Sequence, residues 1–168
     1  DRAPTDAEFL VFVTDVNEVD TVADVTFTIA EDVVPASAAA VVGEVLVATQ
    51  DVGQLYTFTA AGAGTSHFEV DALSGAVRLT TGGLDFESGT TSFVFTGTAT
   101  DNGAPSALSD TGTVTVQVLD VAEPPYLTST AMSVPENVPA GTVVGTLTAV
   151  DPEGAAVTFT LVDDDASG

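Results

Sequence analysis

Lysine, cysteine and tryptophan are missing from this chain altogether, and arginine occurs only twice, at Arg2 and Arg78. Without cysteine there is neither a disulfide framework nor a thiolate metal site, so any staple must be of another kind. Against the two arginines stand 25 Asp and Glu, a formal net charge of −23. That balance argues against nucleic acid or an anionic membrane as an electrostatic partner and favours cations. No run approaches the roughly 18 apolar residues of a membrane span. The start, Asp1-Arg2-Ala3-Pro4, lacks the apolar stretch of a signal peptide, so the chain reads as a window of something longer.

Acidity with few aromatics usually means disorder, but 45% hydrophobic residues supply enough apolar surface for a core. The apolar residues recur with period two, as in Thr113-Val114-Thr115-Val116-Gln117-Val118, and helical periodicity is almost absent. Further strands are expected over Phe9 to Val13, Val25 to Ile29, Val41 to Ala48, Tyr56 to Thr59, His67 to Val70, Ala76 to Thr80 and Phe93 to Thr98. Ala36 to Ala40 is too short for more than one helical turn. About seven short strands in roughly 100 residues, parted by Gly, Asp, Ser and Pro, predict an all-β fold: a seven-stranded antiparallel Greek-key β-sandwich.

The acidic motifs occur twice. Glu31 in Ala30-Glu31-Asp32 returns as Glu136, and Asp15-Val16-Asn17-Glu18 returns as Asp120-Val121-Ala122-Glu123, both 105 positions on (136 − 31 and 120 − 15). The repeat sets expected boundaries: residues 1–19 end one unit, 20–123 form a complete one, and 124–168 open a third, where Thr158-Phe159-Thr160 echoes Thr57-Phe58-Thr59. Pro124-Pro125 suits a short stiff junction.

Clustered carboxylates offer hard oxygen ligands, and a cation taking six to eight oxygens at roughly 2.3–2.6 Å is most naturally calcium, since magnesium demands tighter geometry and holds its waters. The candidate ligands Glu31, Asp85, Glu87, Asp101 and Asp120 sit at strand ends, which a sandwich gathers at two poles. In these motifs the chain resembles extracellular cadherin repeats. The residues concerned are the Glu motif at Glu31 and Glu136, Leu84-Asp85-Phe86-Glu87, Ala99-Thr100-Asp101-Asn102-Gly103-Ala104-Pro105, the hairpin from Phe68 to Val77, and the linkers at Asp15 and Asp120.

The resemblance implies Ca2+ at the junctions between repeats. It assigns Glu31, Asp85, Glu87, Asp120, Glu123, Asp151 and Glu153 to the junction between the middle and last units. At an effective dielectric near 20, one carboxylate pair at about 4 Å costs around 4 kcal/mol, so occupancy should couple to linker order. Ala122, Pro124 and Asp151-Pro152-Glu153 depart from the family pattern and lower the expected number of ions. The other junction keeps Asp15, Asn17, Glu18, Asp51 and Asp101, but Thr49-Gln50-Asp51-Val52-Gly53 holds one acid where the family has two, and its register is open. That junction is expected to be poorly occupied.

Other residues carry plainer readings. Glu69 and Asp71 read as exposed hairpin residues, and Asp163-Asp164-Asp165 as a solvated run. His67 is the only histidine, and its neighbour Ser66 is adjacent in sequence rather than placed as a nucleophile, so no enzyme is expected. The expected function is a calcium-rigidified segment of a long extracellular or cell-surface protein, serving adhesion, spacing or filament architecture. Its partners would be neighbouring repeats, with homophilic or filament self-association. The alternatives are a carbohydrate-binding sandwich of a secreted enzyme or adhesin, and adaptation to high salt.

Overall fold

Alternating valines and phenylalanines give strands that are apolar on one face, and the computed structural model shows how they pair. It describes residues 10–14, 16–35, 40–49, 51, 53–129 and 131–161. In chain order the strands are β1 (Thr21–Val22), β2 (Val25–Ala30), β3 (Val41–Glu44), β4 (Val47–Ala48), β5 (Tyr56–Ala61), β6 (Phe68–Val70), β7 (Ala76–Leu79), β8 (Ser92–Asp101), β9 (Ser109–Leu119), β10 (Tyr126–Leu127) and β11 (Ala149–Val150). A 3₁₀ turn spans Ala63–Ser66.

One sheet runs β2-β9-β8-β5 and the other β3-β7-β6, with small pairs β1-β4 and β10-β11 beside them. Phe95 and Ala99 from β8 and Val114, Val116 and Val118 from β9 are buried against Phe68, Val77 and Leu79 of the second sheet. Phe68 lies at the middle, its ring edge-on to Phe93 at 5.4 Å and stacked near Phe95 at 6.4 Å. Beyond Val118 none of the described residues is buried.

The ladders decide where the polar strand ends go. β2 and β9 pair in parallel from Val25↔Val114 to Ala30↔Leu119, so Glu31 and Asp120 emerge side by side. The 84–91 segment reaches the same pole, because Ser92 at the start of β8 pairs with Gln117. At the opposite pole Tyr56 pairs with Asp101, and Thr100 with Ser109.

Four expectations change. The main sheet is mixed rather than wholly antiparallel, since side-chain alternation carries no strand direction. Residues 41–48 form two strands, with a register shift between Val41 and Gly43 where the Phe27 ring covers Gly43 and leaves no room for a Cβ. Leu10 to Val13 and Thr158 to Thr160 join no ladder: alternation marks a strand, but only a partner edge makes one. Phe9, Asp15, residues 36–39 and Asp163 to Asp165 lie outside the described residues.

Candidate metal centre

Glu31 organises the first pole. It leaves the end of β2 only 6% exposed, and a carboxylate so deep needs donors. Its Oε2 accepts the Phe86 N–H at 2.6 Å and its Oε1 the Val121 N–H at 2.8 Å. One side chain thus ties the strand end to both the 84–87 loop and the linker. Asp85 Oδ1 accepts the Ser88 N–H at 2.9 Å, closing a turn that projects Glu87 from the same loop.

Two carboxylate triads result. Glu31, Asp85 and Glu87 each offer an oxygen within 4.8 Å of the others, and so do Glu87, Asp120 and Glu153. Two oxygens on one calcium can be no further apart than twice the bond length, about 4.6–5.2 Å, so both triads fit a shared ion, with Glu87 common to the two. Glu153 also accepts the Glu123 N–H at 2.6 Å, which holds the segment after β9 against the loop after β11. An open groove of about 440 Å³ lies here, lined by Asp85, Glu87, Glu123, Tyr126, Val150 and Pro152.

The electrostatics record the crowding. Desolvation first, then the charges of Glu31, Asp120 and Glu153, push the Glu87 carboxyl above its ordinary range. Glu123 is raised by desolvation and then by Glu31, Glu87, Glu153 and Asp85. Five of the seven residues expected at this junction therefore converge, and Glu123 borders them. Asp151 stands apart, its Oδ1 accepting the Ala155 N–H at 3.1 Å.

The second pole is built differently. Asn17 Nδ2 donates to both oxygens of Asp101 at 3.2 Å and to the Ser106 carbonyl at 3.0 Å. Gln54 Nε2 donates to Asn17 Oδ1 and to Asp51 Oδ2, the latter at 2.8 Å. Asp101 also accepts the Gly103 and Leu108 amides at 2.9 and 3.0 Å. Burial raises the Asp101 carboxyl, but these donors together outweigh it and hold the group below its ordinary value. Asp15 lies outside the described residues, and Glu18 reaches this network by its backbone, donating to Asp51 Oδ2 at 3.2 Å.

Gln54, Asp20, Tyr56 and Asp110 were missing from the expected set. Asp20 is buried and accepts the Tyr56 hydroxyl at 2.6 Å. Burial, and next the Asp20 hydrogen bond, raise the Tyr56 phenol. Asp110 accepts the Val22 N–H at 2.8 Å. Gln54 carries no charge to mark it, but Asp20 follows directly on the linker and was visible there.

The structure also fixes the register of Asp51. Thr21 pairs with Ala48 and Tyr126 with Val150, and the Glu18 N–H bonds Asp51 as the Glu123 N–H bonds Glu153. The loop after β4 therefore corresponds to that after β11 with an offset of 102 (150 − 48 and 153 − 51). Asp51 stands at the place of Glu153, and Thr49 at that of Asp151.

Two packed sheets whose carboxylates collect at the poles define a β-sandwich module with acidic ends. No family model matches the chain. Its similarity lies with two curated proteins. The Protocadherin-like wing polarity protein stan of Drosophila melanogaster is 40% identical over 106 residues, 60% of this chain and 3% of that protein. Protocadherin Fat 1 of Homo sapiens is 42% identical over 93 residues, 52% of this chain and 2% of that protein. The chain thus spans a few per cent of the length of these relatives. The crystal structure of human CDH23 EC21-23 shares the fold with a TM-score of 0.58 at 24% identity, over 83% of this chain and 46% of that one. In sequence the chain is similar to these protocadherins, and in fold to the cadherin repeats of CDH23.

Proposed function

We propose that the chain is a calcium-rigidified rod segment of a long surface protein, with a complete repeat over residues 20–123 joined at residues 120–125 to the next one from 124. The observation that carries this reading is the pair of carboxylate triads sharing Glu87, assembled from a strand end, a loop, the linker and the following unit. Calcium there would be held by Glu31, Asp85, Glu87, Asp120 and Glu153, with Glu123 at the rim. It would supply the positive charge that a lysine-free chain does not.

The role is mechanical rather than catalytic. A bound cation turns mutual repulsion into shared attraction and fixes two sandwiches through one linker, and because it binds the folded arrangement alone it stabilises it by mass action. Adhesion, spacing or filament formation would then use a stiff string of repeats, and contact between copies is compatible with that architecture. Calcium titration by calorimetry, paired with thermal melts in chelator, tests the reading. Expected are saturable binding and a melting temperature several degrees lower in chelator. No heat of binding and coincident melts would overturn it.

A further inference from the structure

The pole around Asn17 is where the donor set departs from what a cation needs. We infer that this pole is closed without a metal ion, by a clasp in which the Gln54 and Asn17 side-chain amides take the place that a cation would fill among Asp51 and Asp101. This goes beyond the calcium reading, because it concerns the pole that reading leaves aside.

Three observations carry it. First, the acceptors are already used: Asp101 receives Asn17, Gly103 and Leu108, Asp51 Oδ2 receives Glu18 and Gln54, and Asn17 Oδ1 receives Gln54.

Second, N–H donors face the gap, and donors repel a cation. The orientation of Gln54 follows from its neighbours, since the reverse would set Oε1 against Asp51 Oδ2 and Asn17 Oδ1, three acceptors together. Gln54 Oε1 is instead buried with no partner among the described residues, a cost accepted to aim the NH₂ at two oxygens. Asn17 also lies so close over Gly103 that a Cβ there would strike its amide.

Third, the amides of this pole have no counterpart at the other junction. Asn17 corresponds to Ala122 at the offset of 105, and Gln54 and Thr49 correspond to Ala156 and Asp151 at the offset of 102. The pole with both amides has Thr49 in place of Asp151, and the pole with Asp151 has alanines in place of both amides. Withdrawal of divalent ions would then leave this clasp in place.

Residue-resolved amide hydrogen exchange on the 168-residue chain, in calcium and in EDTA, tests this. Protection at Glu18, Gly103 and Leu108 should stay within about twofold in EDTA, while Gln54→Ala should lower it at Glu18 by about tenfold in both buffers. Gln54→Glu, which turns the donor into a third carboxylate, should make protection at Glu18 calcium-dependent. The inference fails if Glu18, Gly103 and Leu108 lose protection in EDTA, if calcium rescues Gln54→Ala, or if Gln54→Glu matches the parent in EDTA. The amides of Phe86, Val121 and Glu123 report the other pole, so failure of the calcium reading shows there, and the Gln54 variants still decide this one.

Discussion

At the pole around Glu31, five carboxylates converge on one another and on backbone N–H groups; at the pole around Asn17, carboxylates are met by side-chain amides. The first arrangement brings carboxylates together without side-chain donors between them, and the second sets amide N–H groups against its carboxylates. Both sit at equivalent places of the repeat, as the matching bonds from Glu18 to Asp51 and from Glu123 to Glu153 demonstrate. What separates them is a few short side chains: asparagine against alanine in the linker, threonine against aspartate and glutamine against alanine in the loop. In the calcium-rigidified rod we propose, ion dependence would be set junction by junction, by donors as much as by acids.

The comparison breaks most readily at Glu31. Glu31→Ala strips the partly buried Phe86 and Val121 amides of their acceptor, and two such lost hydrogen bonds cost about 3 kcal/mol together. Urea denaturation should show that loss with or without calcium, and calcium should recover little of it. A variant as stable as the parent would mean that Glu31 contributes only charge. Gly103→Ala probes the other pole more gently. The added methyl displaces the flexible Asn17 side chain rather than the backbone, so the loss should be about 1–2 kcal/mol, the worth of the Asn17 hydrogen bonds. It should leave calcium binding at the Glu31 pole unchanged in calorimetry.

Much of this was legible beforehand because strand ends and acids are local in sequence. Period-two alternation located β2, β5, β7, β8 and β9 to within a few residues, and Glu31, Asp85, Glu87, Asp120 and Glu153 were named before any geometry. Strand direction was not legible, because a parallel and an antiparallel β2 would bury the same Ile29. Nor was the break at Gly43, which depends on a ring from another strand. Asp151 belongs to neither carboxylate triad, and its Oδ1 accepts the Ala155 N–H of its own turn. Gln54 was overlooked because a search for charge passes over the neutral donor that makes charge unnecessary.

The smallest expected effect sharpens the contrast by its sign. Glu87 and Glu123 have raised folded-state values, caused first by desolvation and then by neighbouring carboxylates, so the fold binds their protons more tightly than the unfolded chain does. In chelator their contribution is fully present below the unfolded glutamate value of about 4.3 and is lost as pH rises through the folded values above it. Asp101 and Asp110 are lowered, Asp101 because its donors outweigh its burial and Asp110 by the Val22 and Thr111 amides. Their contribution is present above the unfolded aspartate value of about 3.9 and is lost as pH falls through the folded values below it. Acidifying the calcium-free protein from neutrality should therefore tighten the Glu31 pole before it loosens the Asn17 pole. Exchange at Val121 and at Leu108, followed against pH, should move in opposite directions, with Val121 gaining protection first. Parallel loss at both amides from neutrality downward would show that the two poles are electrostatically alike.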